Sequence, residues 1–492
     1  MKSYAKRIGS FLNSTDGSLK KKTIRSGIWV GASKMALNML SFIRTIILAR
    51  LLTPEIFGLM SICMISIRGL EIFSETGFTA ALIHRQKDFE EAKNTAFTLM
   101  IIRGIVLGLI AIIISPIVAH YYNREILDSL LKVLAITFIL NGFYNINTIG
   151  LEKELDFKRL SYLEQLGNIF NFVVVLTLAY FFRSVWALVL GQALSSLISV
   201  VLSYVIIPGR PVFRFNKGIT KELFGYGKFV TGLTIVVFVT TEIDNAIIGK
   251  LLGMDLLGFY VIAYGLANLP ATHITKVISK VMFPVYSKLQ HDIKGLRNAY
   301  LEVLRLTASI TIPAVAGIGI LAPEIIKIVY GEKWIPAILP LQILCIFGGF
   351  RAISALNGYV YNAIGRPNIP FYLNTGKLIL IIAIIFPLTT KFSLIGTAIA
   401  VTIPLVIQFF IASLIFTRVI DLNLFQAVKP LIIPIMHSLI MAAAIIIAKK
   451  IIIINDMFEL ISLVIMGIFI YGLLNVQKIY SLIRNNLSLV DI

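Results

Sequence analysis

Apolar stretches of about twenty residues, each closed by a short polar connector, recur along the whole chain. A bilayer core takes about 20 apolar residues per helix. On that ruler about fourteen spans lie near 24–49, 56–80, 95–120, 129–150, 161–182, 185–207, 223–249, 255–281, 301–321, 335–363, 369–388, 392–417, 431–450 and 457–476. The longest internal connectors, near 81–94, 208–222 and 282–300, are too short to fold as domains. The expected fold class is therefore an all-α polytopic membrane protein, and any chemistry falls among its helices.

The pattern repeats itself. Laying each residue over the one 200 positions on aligns "IILARLLTPEIFGLM" with "AIIGKLLGMDLLGFY" without a gap, so that Gly27, Arg50, Glu55 and Gly58 meet Gly227, Lys250, Asp255 and Gly258. At a slightly larger offset Asp88 and Asn94 meet Asp292 and Asn298, and Ser184 meets Ser393. Six spans separate the copies, and an even number preserves direction. Two parallel six-helix lobes, related by an axis along the membrane normal, are expected to enclose a central cavity. The expected organisation is residues 1–222 for the first lobe, 223–420 for the second, and 421–492 for two extra helices and a tail. Prolines within spans gather in the second half, at Pro270, Pro313, Pro340, Pro404 and Pro434, where they either bend that lobe or are merely tolerated.

Composition agrees with the pattern. The 492 residues are 58% hydrophobic and only 14% charged, with a mean hydropathy of +0.89, against about 25% charged for soluble chains. The net charge of +20 bears on orientation rather than on nucleic acid. With the N-terminus cytoplasmic, about 26 bases fall on the cytoplasmic side and about nine outside. Both termini are thus expected in the cytoplasm, and the surplus bases meet anionic membrane lipid. Residues 1–25 lack the apolar run of a cleaved signal peptide. Cys63 and Cys345 both lie in apolar runs, so no disulfide framework, Cys-based metal site or cofactor motif is expected.

Candidate function lies in charges that lipid should reject. The bases Lys34, Arg44, Arg68, Arg103, Lys132, Lys228, Lys276, Arg305, Arg351 and Lys377 fall inside apolar spans, with the acids Glu71, Glu75, Glu164, Glu242 and Asp244. Facing lipid, they would together cost on the order of 40 kcal/mol, beyond the roughly 5 to 15 kcal/mol by which proteins are stable. Most must face each other or a hydrated space. Ion pairs that lock helices account for a share of them, yet about five bases remain uncompensated. A surplus of cations in a wet cavity is a site for an anion. Arg68, Glu71 and Glu75 share one helix face at i, i+3 and i+7; Asn268, Thr272, Lys276 and Ser279 form a second stripe, Arg351, Ser354 and Gly358 a third, and Asn374 precedes Lys377 by three. Glu242 and Asp244 stand about 200° apart on a helix, so both cannot point into one cavity. Glu75, Asp244 and Glu242 are read as possible coupling-ion sites or as partners of the bases. His273 and His437 read as packing residues that could also titrate.

The blocks "ARLLTPEIFGLM", "FSETGFTAALIHRQ", "GLEKELDFKRL", "VMFPVYSKLQHD" and "VYGEKW", in this order, resemble bacterial polysaccharide exporters of the colanic-acid exporter type. These belong to the superfamily that also holds lipid II flippases and multidrug extruders. The resemblance implies two six-helix lobes working by alternating access in the cytoplasmic (inner) membrane. It implies turning an undecaprenyl-diphosphate-linked oligosaccharide to the outer leaflet for exopolysaccharide or lipopolysaccharide synthesis, beside the polymerase and glycosyltransferases of that pathway. Against lipid II flippases, "FIRTIILAR" places Arg44 on a cavity arginine and "IFSETGF" places Glu75 on a second-span glutamate; the pair of bases in that span is here only Arg68, shifted. Arg44, Arg68, Lys276 and Arg351 are the expected diphosphate ligands, followed by Lys34, Lys228 and Lys377. Three rivals remain. A cation-coupled drug extruder predicts an acidic cavity, and a membrane polymerase, an enzyme where the exporter is not, needs a long extracytoplasmic loop. A lipid II flippase fits the "VYGEKW" and "GLEKELDF" blocks poorly.

Overall fold

A computed structural model describes residues 35–74, 82, 88–153, 156–451 and 456–475. Every regular element among them is helical. The helices are α1 (35–51), α2 (Pro54–Phe73), α3 (Phe89–Tyr122), α4 (Ile126–Gly142), α5 (Phe157–Phe182), α6 (Val185–Ile206) and α7 (Lys217–Leu251). They continue as α8 (Met254–Pro270), α9 (Lys276–Lys288), α10 (Ile293–Ile320), α11 (Ile338–Ala363), α12 (Asn368–Val419), α13 (Leu424–Ile451) and α14 (Met457–Leu474). Ten helices among the described residues are long and apolar enough to cross a membrane. Three of the expected spans are not among these ten: α4 has 17 residues, the first expected span is described only from residue 35, and the side chains of 221–231 in α7 lie outside the description. Conversely, α12 holds two expected spans in its 52 residues, joined where Ser393 takes φ 54°.

Lipid cannot solvate loose backbone, so helix ends need partners. Side chains of Asp156, Asp292 and Asp456 accept hydrogen bonds from the amides of Arg159, Gly295 and Glu459 at the starts of α5, α10 and α14. Pro270 ends α8 without ending the rod, because a π turn, Ala271–Thr275, carries the chain into α9. The even stripe expected from Asn268 to Ser279 is therefore interrupted: the wider turn changes the helical register between Asn268 and Lys276.

The chain divides into two compact units, Met1–Leu52 with Cys63–Thr234, and Thr53–Ile62 with Ile235–Ile492. One boundary falls between α1 and α2, the others inside α2 and α7. In the first unit α3 lies tightly on α4, where a Cβ on Gly104 would come within 2.5 Å of the Phe138 carbonyl. In the second, Trp334 is fully buried with Phe57 and Phe259 edge-on to it at 5.3 and 5.8 Å, and Tyr286, Tyr300, Tyr361 and Phe416 build an aromatic core.

The second unit also holds a close crossing at positions that the repeat aligns. A Cβ on Gly58 would sit 2.0 Å from the carbonyl oxygen of Met254, and one on Gly258 would sit 2.0 Å from that of Pro54. The residues in this reciprocal crossing are related by the same offset of 200 that aligned the sequence. Two backbones touch there because neither helix carries a side chain. The fifth and sixth spans of each copy likewise meet at a residue with positive φ, Arg183 at 44° and Ser393 at 54°.

Candidate functional site

The in-span charges separate into those with evident structural work and those without it. Lys132 pairs with Asp128 one turn earlier at 2.7 Å, and Ser115 of α3 donates to the same carboxylate at 2.6 Å. Arg103 on α3 closes the end of α2: its guanidinium donates to the Glu71 carbonyl at 3.0 Å and to the Ser74 hydroxyl at 2.9 Å, placing a cation at the negative end of a helix. Arg305, Glu164 and Arg68 are exposed. Lys34 and Glu75 lie outside the described residues. Lys228 and Lys276 stand on α7 and α9, their side chains outside the description.

Arg44, Arg351 and Lys377 are different: each is half-buried and held by neutral groups. In the first unit, Arg44 on α1 donates through Nη1 to the Oδ1 of Asn171 on α5. The amide of Asn171 donates to Ser195 Oγ of α6 at 2.6 Å, which in turn donates to the Gly191 carbonyl at 2.6 Å. The amide is thus oriented with its oxygen toward the arginine. Arg44 Nε is buried without a partner among the described residues, a donor left unmet.

In the second unit, Arg351 on α11 donates through Nη1 to the Tyr264 hydroxyl and to Asn268 Oδ1, both on α8 and both at 2.9 Å. Its guanidinium lies 5.9 Å from the Phe347 ring. Gly348 makes this possible, since a Cβ there would fall 2.1 Å from the Ala267 carbonyl. The close approach of α11 to α8 brings Arg351, one turn on, level with Asn268. Lys377 on α12 is near enough to Arg351 for the like charges to act on each other, and among the described residues its Nζ donates to Asn374 Oδ1 at 3.3 Å. Two neighbouring cations thus sit in apolar helices with amides and a phenol for company. Neutral holders orient a cation without cancelling it, leaving its charge for an anion.

The acids take separate roles. Asp244 of α7, 2% exposed, accepts from the Tyr260 hydroxyl at 2.7 Å and from the Asn245 amide at 2.9 Å. Glu242 accepts from the side-chain amide of Asn245 at 3.0 Å. The two diverge, as their spacing requires. Among the described residues no group of three His, Cys, Asp or Glu side chains gathers.

A scan for charge alone passes over Asn171, Ser195, Tyr260 and Tyr264, which hold the charged groups. The available signal was an amide at Asn171 inside an apolar run, and two tyrosines four apart on α8, on one helix face.

Comparison with known proteins adds a family to this geometry. The profile of the family described as "Polysaccharide biosynthesis protein" matches residues 47–339. The chain is 28% identical over 422 residues to the teichuronic acid biosynthesis protein TuaB of Bacillus subtilis, covering 85% of this chain and 87% of that one. It is 25% identical over 419 residues to the lipopolysaccharide biosynthesis protein WzxC of Escherichia coli, covering 84% and 82%. Among solved structures it is similar to the lipid II flippase MurJ in an inward closed conformation, with a TM-score of 0.72 at 17% identity over 93% of this chain and 100% of that one.

Proposed function

The chain belongs to the polysaccharide biosynthesis protein family, and on that premise we propose that it turns an undecaprenyl-diphosphate-linked oligosaccharide from the cytoplasmic to the outer leaflet of the bacterial inner membrane. The observation that carries this reading is the pair Arg351 and Lys377, cations in apolar helices near enough to feel each other's charge, whose described partners are all neutral. A diphosphate head crosses only if something replaces its water, and charge-assisted hydrogen bonds from a guanidinium and an ammonium do so. Arg44, with an unmet Nε, is the cation of the first unit that neutral groups likewise hold. Arg68, Lys276, Lys34 and Lys228 remain candidates beside them. No bond is made or broken: the protein is a transporter rather than an enzyme, working by alternating access with both termini cytoplasmic. Asp244, Glu242 and Glu75 are proposed coupling-ion sites.

The rival drug extruder is separated by substrate charge. In proteoliposomes holding the full chain, a fluorescent polyprenyl-diphosphate-linked sugar is expected to become accessible on the far side, while a lipophilic cation does not accumulate. Movement of the cation with no movement of the diphosphate lipid would end the proposal.

Two substitutions grade the in-span charges. Lys132→Gln is expected to leave surface polysaccharide at the wild-type level, because a solvent-exposed pair with Asp128 on its own helix contributes little. Asn171→Leu removes the neutral holder of Arg44 and is expected to lower export about tenfold, a hydrogen bond to a charged group being worth about 1.5 to 3 kcal/mol. Both are read as cell-surface polysaccharide at matched protein levels. The reverse ranking would move the site away from Arg44.

A further inference from the structure

In the first unit α5 is the least buried of the ten apolar spans, and its surface has three faces. Gly167, Asn171 and Val175, four apart, lie on α6: a Cβ on Gly167 would reach Ser199 Oγ at 3.3 Å, Asn171 donates to Ser195 Oγ, and a Cβ on Gly191 would strike Val175 at 2.6 Å. Leu166, Ile169, Phe170 and Val173 are exposed and apolar, which suits lipid. Glu164 and Asn168, one turn apart, are exposed and polar, and they stand on roughly the opposite side of the helix from those four. Lipid does not suit them. Asn168 is about 16 Å from the start of α5, near the middle of a hydrocarbon core of about 30 Å and too deep to reach a headgroup. Its amide nitrogen is tied to the Glu164 carbonyl at 2.7 Å.

α1 has the same division. Met35, Met39 and Ile43 are exposed and four apart on one side. Asn38 and Ser41, exposed and three apart, take the other, and Arg44 follows three further on. Three crossings, α2 to α4, lie between α1 and α5, so both run the same way. They meet at Arg44 and Asn171, and from that contact both polar rows lead toward the starts of their helices. Over about 10 Å, two neighbouring helices thus present hydrogen-bonding groups that a lipid tail cannot satisfy.

We infer that this polar face of α1 and α5 holds the sugar part of the lipid-linked substrate while Arg44 holds its diphosphate. The inference deepens the transport reading and rests on it. Chemistry assigns the two ends. A sugar hydroxyl donates and accepts; a carboxylate accepts, and an amide or a serine hydroxyl does both, so Glu164, Asn168, Asn38 and Ser41 are matched to hydroxyls. A diphosphate only accepts. The Glu164 carboxylate repels it, and Arg44, with an unmet Nε, receives it. The head therefore lies with its sugar toward the starts of the two helices and its diphosphate at the Arg44–Asn171 contact. Discrimination follows, since a head without hydroxyls strips water from these side chains and returns no hydrogen bonds.

The test uses the full-length protein in nanodiscs and two probes. One is undecaprenyl diphosphate, which has no sugar; the other is the diphosphate-linked oligosaccharide extracted from cells in which this chain is deleted. The readout is the ratio of their affinities. Wild type is expected to prefer the sugar-bearing probe by about tenfold or more. Asn168→Leu is expected to cut that preference about threefold by weakening the sugar-bearing probe alone, and Glu164→Leu to cut it about tenfold. A merely structural role would weaken both probes alike and leave the ratio in place. That result, or a wild-type ratio near one, overturns the inference. If Glu164→Leu does not yield monodisperse protein, Asn168→Leu decides alone. Arg44→Ala reads the diphosphate end: an equal loss for both probes upholds the anion site whatever α5 shows, and no loss for either overturns that site and the placement built on it. Wild type that binds neither probe overturns the transport reading and the inference together.

Discussion

Cells carrying Arg351→Ala together with Lys377→Ala are expected to lose surface polysaccharide almost completely while the protein still reaches the membrane. Each side chain offers a charge-assisted hydrogen bond to the diphosphate, worth about 1.5 to 3 kcal/mol. The pair therefore supplies about 3 to 6 kcal/mol, or two to four orders of magnitude in binding. Folding should suffer far less. The double substitution takes two cations out of apolar helices and leaves behind Tyr264, Asn268 and Asn374, of which the two amides each keep a second hydrogen bond. Asn268 already donates to the Tyr264 carbonyl at 2.9 Å and Asn374 to that of Pro370 at 2.8 Å. The single variants should each show an intermediate loss. The measurement is surface polysaccharide against membrane protein level, with flipping of a labelled diphosphate lipid in proteoliposomes as the direct check. Normal export by the double variant would remove the second unit from the substrate path.

Gly258→Leu is expected to have the largest effect on the fold. The first added atom would lie 2.0 Å from the Pro54 carbonyl, inside its van der Waals envelope, and the obstacle is backbone, which cannot swing aside as a side chain can. Overfilling a core costs about 1 to 3 kcal/mol where side chains yield, so here about 3 kcal/mol or more is expected. Gly58→Leu should behave alike, because the crossing is reciprocal and a Cβ there meets the Met254 carbonyl at the same distance. Gly317→Ala, on α10 with nothing within 4 Å of the new atom, is the control and should leave stability unchanged or slightly raised. Apparent unfolding temperature in detergent and the amount of folded protein recovered are the readouts. Equal behaviour of Gly258→Leu and Gly317→Ala would mean that the crossing is not tightly packed.

The crossing also shows how far a repeat can be read from one sequence. Aliphatic matches in so apolar a chain are cheap, whereas Gly58 over Gly258 is not, and it is those glycines that touch. The expected even stripe from Asn268 through Lys276 assumed a straight α-helix. A π turn at Ala271–Thr275 interrupts it, because backbone freed near Pro270 is satisfied locally in a way that side-chain spacing does not announce. The fate of individual charges was least legible. Arg103, Lys132 and Arg351 look alike as bases in apolar runs, yet one caps a helix, one pairs with an aspartate on its own helix and one is held by a phenol and an amide.

By itself the sequence determined that this protein crosses a membrane many times as helices, that a pattern in its first half recurs in its second and that its apolar spans hold more bases than acids. Hydropathy, periodicity and composition are properties of neighbouring residues, and lipid punishes exceptions to them. Only the tertiary structure decided which cations meet an acid and which meet neutral groups. Arg44 meets Asn171 from 127 positions away, and Arg351 meets Tyr264 and Asn268 from 87 and 83. Whether a buried charge is cancelled or merely held depends on partners that the chain brings together by folding and never by adjacency.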